Sequence, residues 1–208
     1  MIKHKLLILI TAVTAIGLSQ AGATFIKLED NDPDGIKLWN DVANKDVKDF
    51  NAFVGQNHPD GHFVHIHTAG PVDSGSGFAT IKPVKGMSLT DVIFTPDSQN
   101  LYSDFSFRGQ LNAISDGELT LIVTDNLGIM TTFVFDGLGK NNDFSRRGVI
   151  SEDGSFIKTV ELKSDFKEIK QLEISFGDPG SVPDGGSTVM LLGAALGSLG
   201  MARRFLKK

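Results

Sequence analysis

Short apolar and β-branched runs alternate with clusters of Gly, Pro, Asp and Ser through most of this chain. Phe63-Val64-His65-Ile66-His67, Phe78-Ala79-Thr80-Ile81, Asp91-Val92-Ile93-Phe94 and residues 101–107 have the length and residue types of strands, and turn-forming residues separate them. Leu119-Thr120-Leu121-Ile122-Val123-Thr124 and Met130-Thr131-Thr132-Phe133-Val134-Phe135 flank Asp125-Asn126-Leu127-Gly128. That arrangement is a hairpin signal, because Asn and Gly accept the positive φ of a tight turn. Residues 156–162 and 169–176 predict two further strands, joined by a charged loop at 163–167. About eight or nine strands at this spacing predict an all-β fold, a two-layer β-sandwich of jelly-roll type.

One segment breaks the pattern. Val47, Phe50 and either Phe53 or Val54 fall at helical spacing, with Lys45, Asp46, Lys48 and Asp49 on the other side and Gly55 at the position of a C-terminal cap. The spacing predicts one short helix, plugging one end of the sandwich.

The termini read as addresses. Lys3 and Lys5 precede an apolar stretch at 6–18, and Ala21-Gly22-Ala23 supplies the small residues that signal peptidase reads. This predicts a secretory signal helix at 1–23, cleaved after Ala23, with Ala21 as the alternative. At the other end Val182-Pro183-Asp184-Gly185 leads into an apolar run at 189–202, and Arg203-Arg204-Phe205-Leu206-Lys207-Lys208 follows. A turn, a short apolar transmembrane helix and a basic cluster predict a membrane-parked tail whose charged end stays cytoplasmic. The domain plan is then a signal peptide at 1–23, a β-sandwich at 24–176, a Gly/Pro spacer at 177–181 and a sorting tail at 182–208.

That tail resembles the PEP-CTERM group of sorting signals, in the variant where Val-Pro-Asp replaces Val-Pro-Glu-Pro. Val182, Pro183 and Asp184 match, Gly185 departs from the usual Pro or Ser, and Arg203 and Arg204 stand in the arginine cluster. The resemblance implies recognition by an exosortase, a membrane-embedded transpeptidase-like enzyme of Gram-negative bacteria that make extracellular polysaccharide. These residues are then substrate and not catalyst. The body also resembles exported PEP-CTERM proteins of unassigned activity, through Gly77-Phe78-Ala79-Thr80-Ile81-Lys82-Pro83, Phe94-Thr95-Pro96, Asp104-Phe105-Ser106-Phe107-Arg108-Gly109-Gln110-Leu111 and Phe166-Lys167-Glu168-Ile169-Lys170-Gln171. It implies a shared sandwich and brings no substrate or catalytic residue. Read physically, these are strands with inward aromatics, and Arg108 between Phe105 and Phe107 calls for a carboxylate partner.

Charge narrows the partners. The targeting segments hold six of the 20 Lys+Arg and one of the 25 Asp+Glu, which leaves 14 basic against 24 acidic residues, a net charge of −10 on the mature part. An acidic surface argues against nucleic acid, whose binding depends on basic patches. It is compatible with divalent cations or neutral glycans. There is no cysteine, so no disulfide framework exists in this exported chain.

Two clusters are candidate metal ligands. On a strand, His65 and His67 share one face, and His62 or Asp60 as third ligand makes a zinc or copper site; the alternative is a solvated polar face. Asp30, Asp32, Asp34 and Asp41 hold the first, third, fifth and twelfth positions of a calcium-loop spacing, with Gly35 sixth. Lys37 in place of an apolar residue and Asp41 in place of Glu weaken that match, and the alternative is an acidic leader.

The sequence has no Cys nucleophile, no Gly-x-Ser-x-Gly elbow, no phosphate loop and no His-Glu-x-x-His, while Asp/Glu pairs for glycoside hydrolysis stay open because the fold sets their separation. The leading expectation is a non-enzymatic, exported surface or matrix protein processed by signal peptidase and exosortase and associated with extracellular polysaccharide. A carbohydrate-binding or metal-dependent adhesive module is the second expectation, and a small secreted hydrolase the third. Fold does not choose among them.

Overall fold

A computed structural model describes residues 24–29, 35–56, 61–97, 102–112, 117–138, 144–152 and 156–176. The signal segment, the spacer and the sorting tail lie outside the described residues.

Among the described residues all regular structure is β: β1 (Phe25–Glu29), β2 (Ile36–Asn40), β3 (Asn44–Val54), β4 (Phe63–Ser74), β5 (Gly77–Phe78), β6 (Thr80–Pro83), β7 (Leu89–Pro96), β8 (Tyr102–Leu111), β9 (Gly117–Asp125), β10 (Met130–Leu138), β11 (Ser145–Ser151) and β12 (Ile157–Phe176). Period-two alternation drives most of them. In β9, Leu119, Leu121 and Val123 are fully buried while Thr120, Ile122 and Thr124 between them are only partly covered.

The strands form one hydrogen-bonded sheet that turns back on itself through β12, giving a sandwich-like arrangement. Residues 160–163 of β12 lie between β9 and β7. That half belongs to a layer running β10, β9, β12, β7, β4, β3. Beyond a register break between Lys163 and Phe166, β12 runs beside β8, with β6 and then β2 on its other side. That half belongs to a layer running β1, β11, β8, β12, β6. Inward side chains of both layers form one hydrophobic core. A run of rings crosses it: Phe94 to Phe105 at 5.0 Å, Phe105 to Phe107 at 6.1 Å, Phe107 to Phe166 at 6.3 Å between centroids.

The expected β9–β10 hairpin is present. Asp125 Oδ1 accepts from the Leu127 and Ile129 amides at 2.8 and 2.7 Å, and Gly128 takes a φ of 84°. An Asp side chain here closes its own turn.

Two sequence expectations are corrected. The segment expected to form a helix is β3, and Phe50, Ala52 and Val54 alternate into the core. Asp46 has a φ of 55°, and the pairing with β4 shifts between Asn44 and Val47 and again between Val47 and Asp49. These irregularities put Val47 and Phe50 on one side of a strand at a spacing of three, which mimics a helical period. Gly55 ends that strand with a φ of 78° instead of capping a helix. The charged loop expected at 163–167 is likewise continuous β12, bulged and with its charged side chains turned outward.

Candidate functional site

The outer face of the first layer carries His65 and His67. The β3–β4 hairpin places Asp49 opposite His67 and Asn51 opposite His65. His67 Nδ1 donates to Asp49 Oδ1 at 2.7 Å, His65 Nδ1 donates to Asn51 Oδ1 at 3.0 Å, and His65 Nε2 stands 3.4 Å from Asp49 Oδ1. The hydrogen bond from His67 holds the Asp49 carboxyl below the ordinary carboxylate value, with the imidazoles' charge adding to it and slight burial opposing it.

His62 does not join this group. It precedes β4 on the opposite phase of the alternation, and its Nδ1 lies 3.1 Å from Asp97 Oδ2. Among the described residues no group of three or more His, Cys, Asp or Glu is arranged to hold a metal ion. Of the calcium-loop spacing, Asp41 is exposed next to β2, while Asp30, Asp32 and Asp34 lie outside the described residues, as do His58 and Asp60. Asp49 and Asn51 were hidden by the helical reading. Taken as a strand, Asp49-x-Asn51 reflected across the turn near Gly55 meets His65-x-His67.

A second site lies where β3 begins, β4 ends and β6 runs beside β12. It is an open groove of about 460 Å³ walled by Asn44, Lys45, Asp73, Ser74, Lys82 and Glu168, with Gly75 and Thr80 at its rim. Its polar groups are tethered. Asn44 Nδ2 donates to Ser74 Oγ at 3.1 Å, the Asp46 amide donates to Asp73 Oδ1 at 3.1 Å, and Lys82 Nζ pairs with Glu168 Oε1 at 3.3 Å. Buried Asn40 donates to the Gly75 carbonyl at 3.1 Å and so fixes the rim.

The outer face of the second layer holds a buried ion pair. Arg146 Nη1 and Nη2 donate to Glu173 Oε2 and Oε1 at 2.9 and 3.2 Å, and Nη1 also donates to Ser106 Oγ at 2.9 Å. Arg108, expected to need a carboxylate, instead donates to the Phe144 carbonyl at 3.1 Å. The carboxylate goes to Arg146, which the sequence reading passed over.

Asp104, on the same face, is pushed above the ordinary carboxylate value by burial, against hydrogen bonds from Ser175, the Ser151 backbone and Ser103. A raised acid binds its proton more tightly in the folded state, so stability falls as pH rises from the ordinary carboxylate value through the raised one. Asp104→Asn is therefore expected to raise the thermal midpoint near neutral pH, with the gain shrinking as pH falls through that window. A midpoint lowered equally at pH 7 and pH 4 would contradict it.

Comparisons with known proteins bear on the tail. Residues 181–205 match the family described as the VPDSG-CTERM motif. The chain ends in a PEP-CTERM-like sorting signal. That signal implies an exported protein with membrane transit and is consistent with processing by a sorting enzyme. No curated relative matches the chain. Among solved structures, a mutant of CBM29-2, a family 29 carbohydrate-binding module, aligns over 78% of this chain and 99% of its own at 12% identity, with a TM-score of 0.31. A score that low defines no shared topology.

Proposed function

We propose that this is a non-enzymatic protein of the bacterial surface or extracellular matrix, built on a jelly-roll-like sandwich. Signal peptidase cleaves it after Ala23, and its C-terminal helix holds it in the inner membrane until exosortase acts near Pro183 and Asp184. The released domain then associates with extracellular polysaccharide. The body belongs, in this reading, with exported PEP-CTERM proteins of unassigned activity, from a Gram-negative-type bacterium. The observation that carries it is the matched tail at 181–205, joined to the signal segment at the other end. The acidic mature part and the lack of any recognisable catalytic constellation in the sequence support a binding or structural role over catalysis.

Mass spectrometry of the protein from its native host tests the reading. Loss of the residues after about Pro183 is expected when exosortase and motif are both intact, and retention of the tail in the Asp184→Ala variant or without exosortase. An intact C-terminus in every case would make the tail a permanent anchor and end the sorting proposal.

A further inference from the structure

We propose that the groove between β3, β4 and β6, together with the Trp39–Phe78 edge beside it, is a subsite for a neutral, hydroxyl-rich saccharide chain. The inference rests on the reading of the protein as extracellular and polysaccharide-associated, and gives that association a site and a ligand class.

Charge balance in the groove sets the ligand class. Lys45 and Lys82 face Asp73 and Glu168, so the wall has two formal charges of each sign and no net charge. A phosphate or carboxylate ligand needs an excess of cationic donors, and a metal ion needs converging free carboxylates. Here one oxygen of Asp73 is taken by the Asp46 amide and one of Glu168 by the Lys82 ammonium. The second oxygen of each is an acceptor, Lys45 is a donor, and Ser74 keeps its O–H to donate after accepting from Asn44. A sugar hydroxyl both gives and takes a hydrogen bond, and this wall offers both within one groove.

Preorganisation and an apolar platform complete the case. The tethers to Asn44, Asp46, Lys82 and Asn40 hold the polar groups before any ligand arrives, which lowers the ordering cost of binding. Ala79 is fully buried between exposed Phe78 and half-buried Thr80, so Phe78 turns to the same side of the chain as Thr80, which lines the groove. Phe78 is 47% exposed, and Trp39 meets it edge-on at 5.0 Å. The Lys37 ammonium stands 5.1 Å from the Phe78 ring centroid and covers part of that ring; the aromatic surface that remains exposed suits the C–H face of a sugar ring, as mixed aromatic and polar linings suit small ligands generally.

Trp39 is the single tryptophan of the chain, so its emission reports this site without a label. The full chain in detergent micelles is titrated with hydroxyethyl cellulose, dextran, galactomannan and, as a polyanion, alginate, and co-sedimentation with insoluble cellulose is measured in parallel. A saturable Trp39 response to at least one neutral polysaccharide is expected, with Phe78→Ala and Glu168→Gln each weakening it about tenfold or more and His67→Ala leaving it unchanged. Co-sedimentation that survives both site variants overturns the subsite while leaving polysaccharide association in place. Preference for alginate overturns the neutral-ligand assignment. No response and no sedimentation, from a chain that is still processed at its C-terminus, overturns the subsite and leaves the sorting reading standing.

Discussion

Gly148→Ala is expected to destabilise the fold by about 3 kcal/mol although it adds a single methyl group. Gly148 sits in β11 opposite Ser106 of β8. A Cβ there would run into the Phe105 carbonyl oxygen and fall 2.8 Å from Ser106 Cα and 2.9 Å from Ser106 Cβ. The first two obstacles are backbone, so no rotamer change relieves them. The strands must move apart, and β8 is the strand that carries Phe105 and Phe107 into the middle of the core. Gly75→Ala is the control, because a Cβ at Gly75 meets nothing within 4 Å. Urea unfolding of the full chain in detergent, followed by Trp39 emission and far-ultraviolet circular dichroism, checks both. Equal midpoints for Gly148→Ala and the parent chain would mean that β11 and β8 do not approach this closely.

The same region shows what was legible in the sequence. Elements fixed by local chemistry were readable: the β9–β10 hairpin follows from Asp125 and Gly128, and His65 with His67 on one face follows from strand alternation. Elements shaped by irregularity were not. The shifts around Asp46 and Val47 made a strand look helical, and the bulge between Lys163 and Phe166 made one long strand look like two with a loop. Both misreadings arise because a bulge removes the period of two on which strand recognition depends. Long-range partners were hidden for a different reason. Asp49 meets His67 only through a hairpin, and the groove draws on β3, β4, β6 and β12, whose juxtaposition no local pattern encodes. Arg146 drew no reading from the sequence, and it is buried because the layer folds β12 alongside β8 and brings Glu173 to it.

That pair sets the second large effect. Arg146 and Glu173 side chains are only 3% and 4% exposed, so each ion depends on the other for the solvation it has lost. Ser106 lies in register with both Gly148 and Glu173, and the guanidinium passes from β11 across β8 to reach β12, donating to Ser106 Oγ on the way. Gly148 faces Ser106 in the same pairing of β11 with β8, so both predictions bear on that contact. Removing a single partner leaves a charge buried without its counter-ion. Arg146→Met and Glu173→Leu are each expected to cost about 3–5 kcal/mol, whereas the double variant recovers most of the loss because two apolar side chains of similar size need no partner. A double-mutant cycle in urea measures the coupling, and the two single losses are expected to change little between low salt and 1 M salt, since the pair is shielded from solvent ions. Single losses that simply add in the double variant would show that the two residues act independently, and that the bidentate contact does not hold β11, β8 and β12 together.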